Sequence, residues 1–319
     1  MRRLSTLLFL SLALAASGCA GPPHYPSRGQ AARPQVEGVQ HKTAFFQGAS
    51  GAVLFSQSWR PEDAPSPATR PVVVLVHGLK DHSTRYATLA ERLAKRGYPV
   101  HAFDLRGHAH SSGQRVGIES FGEYLDDLGI FLERVKAQEG ARARVVLFGH
   151  SMGGAIATLY TIEKKPDLAG LILSAAALKV NVSFIKVGGT KMTAALFPRA
   201  PVFNLDLDSF SRDPAVIKEG KADGLVYPAG APARTARELL GAINRIQEAM
   251  ESVKVPLLAL HGAADEVTDP GGSKELVQRA GSKDKTLKLY PSLVHDLLHE
   301  PEKQVVMDDI EKWLETHAK

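Results

Sequence analysis

From Thr43 onward, short apolar runs alternate with longer stretches in which apolar residues recur every three or four positions. Residues 43–46 and 52–59 predict an opening pair of strands. Residues 71–77, PVVVLVH, are apolar almost without interruption, as a strand buried on both faces requires. Residues 86–96 carry Leu89, Leu93 and Ala94 on one side and predict a helix. Further strands are predicted at 100–105, 144–148 and 171–175, with helices at 121–137 and 152–162. Such alternation predicts an α/β fold, a mostly parallel central sheet flanked by helices.

The rhythm lapses from 179 to 254, where Pro and Gly clusters break up apolar patches that include Phe184, Ile185, Met192, Leu196, Phe197, Val202 and Phe203. No strong strand is predicted there. An insertion of this size between sheet strands predicts a cap over the site. Alternation resumes with a strand at 256–260, a helix near 274–279, a strand at 286–290 and a final helix at 304–317.

The front of the chain is built differently. Arg2 and Arg3 precede a short apolar run over 7–16. A bilayer span needs about 20 apolar residues, so residues 1–18 read as an export signal. The junction Ala16-Ser17-Gly18-Cys19 resembles the lipobox of bacterial lipoproteins, in which the cysteine is acylated. Cys19 is the only cysteine, so no intrachain disulfide can form. Residues 19–42 are rich in Pro, Gly, Ala and Gln and read as a lipidated N-terminus and flexible tether to a catalytic body over 43–319. Ala20 is not the aspartate that retains some lipoproteins in the inner membrane. The expected location is therefore the bacterial cell envelope, outside the cytoplasm, on the outer membrane.

Composition adds little to this picture. The chain is 44% hydrophobic and 23% charged, an ordinary globular balance. Its net charge of +5 is spread without a dense basic block, so a nucleic-acid partner is not expected.

The chemistry concentrates in Gly149-His150-Ser151-Met152-Gly153-Gly154, a G-x-S-x-G match between a predicted strand and a predicted helix. That context presents Ser151 on a tight turn at the carboxyl edge of the sheet, as in the α/β-hydrolase fold. A serine hydroxyl needs a base, and the fold orders its partners Ser, then Asp or Glu, then His. Asp265 follows the strand at 256–260 and His295 follows the strand at 286–290. Glu266 and Asp269 compete with Asp265, and His299 competes with His295. Backbone donors for an oxyanion are expected from Met152, after the nucleophile, and from Leu79, in the loop after 71–77. His82, His108, His110 and His150 are expected to hydrogen-bond locally. No metal or other cofactor is predicted, since His108 and His110 form a loose pair without a ligand cluster.

These residues resemble the monoacylglycerol lipases and lysophospholipases of the hydrolase family often called serine aminopeptidase. The resemblance runs from Thr43 to the C-terminus. It rests on His77-Gly78-Leu79, Asp81-His82-Ser83-Thr84-Arg85-Tyr86, Asp104-Leu105-Arg106-Gly107-His108, the Ser151 motif, Gly262-Ala263-Ala264-Asp265 and His295-Asp296-Leu297-Leu298-His299-Glu300. It implies a Ser151–Asp265–His295 triad, an oxyanion hole at Leu79 and Met152, and a small lipid-like ester substrate with one acyl chain. In the cap, Ser211-Arg212-Asp213-Pro214 and Ala222-Asp223-Gly224-Leu225 fit the same pattern, with Gly224 where proline is frequent. Three other readings stay open: an amidase or peptidase using Asp206, Asp208 or Asp223 to hold an amine, a non-catalytic binding lipoprotein, and an acyltransferase.

Overall fold

The protein is described by a computed structural model covering residues 36–63, 70–179, 195–203 and 206–317. The predicted signal segment, Cys19 and most of the predicted tether lie outside the described residues, as do Phe184, Ile185 and Met192 of the insertion.

Two long strands, β1 (Val39–Gln47) and β2 (Val53–Pro61), form an antiparallel hairpin. The remaining large-sheet strands are β3 (Val72–Val76), β4 (Val100–Phe103), β5 (Val145–His150), β6 (Gly170–Ser174), β9 (Leu257–Gly262) and β10 (Lys285–Tyr290). They stand in the order β1-β2-β4-β3-β5-β6-β9-β10, and every pair beyond β2–β4 is parallel. The carboxyl ends of β3, β5, β9 and β10 therefore share one edge.

Alternation in the central strands divides the core. Val72, Val74 and Val76 of β3, with Val145 and Leu147 of β5, face one apolar layer. Val73 and Leu75, with Val146 and Phe148, face the other. The first layer receives α2 (Gly122–Glu139), α3 (Met152–Lys164), α5 (Ala233–Glu248) and Leu276 of α6 (Pro270–Arg279). The second receives α1 (Ala87–Lys95) and α7 (Lys303–His317). A strand covered on both faces has no polar side to spare, which explains the unbroken run at 71–77.

Two expectations are corrected. The tether assigned to 19–42 gives up Val39–Lys42 to β1, because Val39 is buried and the segment pairs with Trp59–Pro61 and Ser58 of β2. The insertion at 179–254 is not all cap: α5 buries Leu239, Ala242, Ile243 and Ile246 in the main core beside α3. The strands the described part of the insertion does contain are short: β7 (Pro201–Phe203) pairs with β8 (Ala231–Pro232) in a two-stranded sheet. Between these strands lies α4 (Pro214–Ala222), started by Asp213, whose side chain accepts a hydrogen bond from the Ala215 amide.

Candidate active site

Ser151 sits between β5 and α3 at φ 52° and ψ −120°, a positive φ that a serine adopts only under constraint. The end of β6 supplies the constraint: the Ser151 amide donates to Ser174 O at 3.0 Å, and Ser151 O accepts from the Ala177 amide at 2.9 Å. The flanking glycines matter for closeness rather than for φ. A Cβ on Gly153 would lie 2.2 Å from Val76 O, and one on Gly149 would lie 2.5 Å from Gly153 O. Helix α3 can pack this tightly against β3 and β5 only without side chains at those points.

The structure brings the three predicted side chains together. His295 Nε2 lies 3.0 Å from Ser151 Oγ, and His295 Nδ1 lies 2.8 Å from Asp265 Oδ2. All three residues are buried. Burial alone would push the His295 pKa down, but the Asp265 carboxylate holds it above its ordinary value. Burial would likewise raise the Asp265 pKa, and the His295 and His261 partners hold it below the usual carboxylate range.

The rivals stand outside this hydrogen-bond line. Glu266 is exposed. Asp269 caps α6 through the Gly271 amide and pairs with Lys179. His299 binds the Asp296 carboxylate through Nδ1 at 2.8 Å and faces Arg85 O through Nε2 at 3.0 Å.

An oxyanion site also needs two backbone donors, expected at Leu79 and Met152. A Cβ on Gly78 would lie 3.2 Å from Ser151 Cβ, so the loop carrying Leu79 runs directly against the nucleophile. Both residues are buried, and among the described residues neither amide has a hydrogen-bond acceptor. Buried backbone donors rarely stay unpaired, so these two are available to an oxygen on a bound molecule.

Several supporting residues were not singled out from the sequence. Thr268 donates its hydroxyl at 2.8 Å to Asp265 Oδ2, while the Val267 and Thr268 amides donate to Asp265 Oδ1. His261 Nε2 lies 3.1 Å from the same Oδ2, and its Nδ1 meets Ser273 Oγ at 2.8 Å. The Asp296 carboxylate accepts from Arg85 at 2.6 Å, which ties the His295 loop to the body. The cap adds Phe210, whose ring stands edge-on to His295 at 5.0 Å and whose carbonyl accepts from the Asp296 amide. A turn-forming D-x-x-T could have pointed to Thr268; nothing local could have pointed to Phe210.

The other histidines differ among themselves. His150 meets Ser174 O, and its pKa is pushed down to about 4, first by burial and then by His295. His108 meets Arg106 O, and burial pushes its pKa down to about 3. His82 does not bond locally: its Nε2 reaches Asp223 of the cap at 2.8 Å.

Residues 67–302 match the family described as Hydrolase_4: Serine aminopeptidase, S33. The chain is 36% identical over 274 residues to a monoacylglycerol lipase of Mycolicibacterium smegmatis, covering 85% of this chain and 96% of that one. It is 31% identical to the monoglyceride lipase of Homo sapiens, covering 83% and 88%. Among solved structures, a monoacylglycerol lipase of Paleococcus ferrophilus superposes with a TM-score of 0.73 at 29% identity, covering 83% of this chain and 99% of that one.

Proposed function

The chain belongs to the serine aminopeptidase family of α/β hydrolases, and from that premise we propose that it hydrolyses single-chain acyl esters of the monoacylglycerol type through Ser151. It is a serine ester hydrolase, similar over most of its length to monoacylglycerol lipases. The observation that carries the assignment of roles is the unbroken Ser151–His295–Asp265 hydrogen-bond line.

In this reading Ser151 Oγ attacks the ester carbonyl while His295 Nε2 takes its proton. The carbonyl oxygen becomes an oxyanion held by the Leu79 and Met152 amides. Asp265 fixes the imidazole and stabilises its charged form. The C–O bond to the alcohol then breaks, and the alcohol leaves with the proton from His295. Water repeats the sequence on the acyl-enzyme, releasing the fatty acid and restoring Ser151.

The cap acids favour esters over aminoacyl amides. Asp206 caps a short turn at Leu207–Ser209, Asp208 pairs with Lys221, and Asp223 binds His82 and the Leu225 amide. Each acid that could anchor a substrate amine already has a partner. The test is a hydrolysis panel of monoacylglycerols, lysophospholipids, short p-nitrophenyl esters and aminoacyl amides. Preference for a long-chain monoester supports the assignment; preference for an aminoacyl amide overturns it.

We further propose that Cys19 carries lipid that holds the protein to a bacterial membrane, on the outer-membrane side of the envelope. The positive start, the short apolar run and the Ala16-Ser17-Gly18-Cys19 junction support this. From Cys19 to the start of β1 a fully extended chain would span at most about 70 Å. Replacing Cys19 with Ala should move the protein from the membrane to the soluble fraction. A native N-terminus cleaved elsewhere and free of acyl mass would end this proposal alone.

A further inference from the structure

Lys80 occupies a costly position. Its backbone has φ 64°, in the left-handed region that favours glycine, and only 4% of the residue is exposed. All 34 Asp and Glu residues of the chain lie among the described residues, yet none pairs with Lys80. Burial pushes the ammonium pKa below its ordinary value, with no carboxylate acting against it. A largely enclosed cation without a carboxylate partner, on a backbone conformation that favours glycine, is a combination that folding alone does not favour.

Its surroundings give that combination a use. Lys80 directly follows Leu79, one of the two candidate oxyanion donors, and lines a cavity of about 610 Å³ between the body and the cap. The body wall includes His108 and His110, whose Nε2 atoms are buried without a hydrogen-bond partner among the described residues. The cap wall includes Asp223, but both its oxygens are already held, Oδ2 by His82 and Oδ1 by the Leu225 amide. Lys221 on the same wall is matched by Asp208. Lys80 is thus a cation without a matching anion, one residue from the reacting centre's backbone, beside the His110 imidazole, whose Nε2 is free to carry a proton toward a bound group.

We propose that Lys80 recognises an anionic group on the ester, a phosphate or carboxylate, so that the enzyme favours single-chain acyl esters bearing such a group over neutral ones of the same chain length. The inference rests on the ester-hydrolase reading of Ser151 and names a substrate class for it. The anion would restore to Lys80 the charge partner that the fold withholds, and the low-dielectric walls would strengthen the contact.

The test compares kcat/KM for a 1-acylglycerol and the matching 1-acylglycerol 3-phosphate, both as monomers, with the enzyme concentration fixed by fluorophosphonate titration. The wild-type enzyme should favour the phosphate ester. Lys80→Met should lower the phosphate-to-neutral ratio about tenfold, the scale of one charge-assisted hydrogen bond, and Lys80→Arg should keep most of it. Lys80→Gly suits the positive φ and should lose the same preference, which keeps the test sound if Lys80→Met folds poorly. A ratio that is the same in wild type, Lys80→Gly and Lys80→Met overturns the proposal, as does a wild-type preference for the neutral ester. Failure of the underlying reading looks different: an enzyme that labels fully yet hydrolyses neither ester would sink both.

Discussion

Ser151, His295 and Asp265 lie 144 and 30 residues apart along the chain, and each is delivered by the end of a strand or the loop just after it. That placement made them legible, because a parallel sheet carries its strand ends to one edge. Thr268 and His261 were not legible in the same way. Thr268 Oγ1, which donates to Asp265 Oδ2, also lies 3.1 Å from Ala175 O, a carbonyl 93 residues away whose proximity only the fold determines. The buried Asp265 carboxylate also has a kinetic consequence. It keeps the His295 pKa above its ordinary 6.5 despite burial, and only the neutral imidazole can take the Ser151 proton. The rate should therefore rise with pH, with the acid limb of kcat/KM centred above 6.5. A pH–rate profile checks this, and a midpoint well below 6.5 would show that a different group governs the base.

At the scale of elements, boundaries were read less well than identities. The strand–helix alternation gave the order of the large sheet's elements, but β1 began four residues earlier than its apolar residues suggested. Its first positions are mostly exposed and polar, held by backbone pairing with β2 rather than by burial, and composition cannot register that. Helix α5 was readable in principle from Leu239, Ala242, Ile243 and Ile246, but the surrounding Pro and Gly clusters obscured it. Another junction depends on a buried ion pair. Arg106, after β4, donates to both oxygens of Asp127 on α2 at 2.6 and 2.7 Å, and Asp127 Oδ1 also accepts from the Ala49 amide. Asp127 is fully buried, so Asp127→Ala would strand a buried guanidinium. Breaking such a pair costs about 3–5 kcal/mol. Chemical denaturation should register a loss of that order; a change within ~0.5 kcal/mol would mean that Glu123 and the Ala49 carbonyl, the other partners of Arg106, suffice.

For the whole molecule, catalytic body and cap meet through a few identifiable contacts. Phe210 packs on His295, Asp223 binds His82, and Arg212 pairs with Glu300 at 2.6 Å. Cap and triad are thereby linked by residues far apart in sequence, and no local pattern could give that seating. The family resemblance gave reaction type and candidate residues together, because the motifs that carry it are the strand-end loops that build the site. The most direct test of the central claim is hydrolysis of a 1-monoacylglycerol by purified wild-type enzyme and by Ser151→Ala. The wild-type protein should release fatty acid, and the variant, folded as judged by its unfolding transition, should lose activity by several orders of magnitude. Near-wild-type turnover by a pure Ser151→Ala protein would contradict the account.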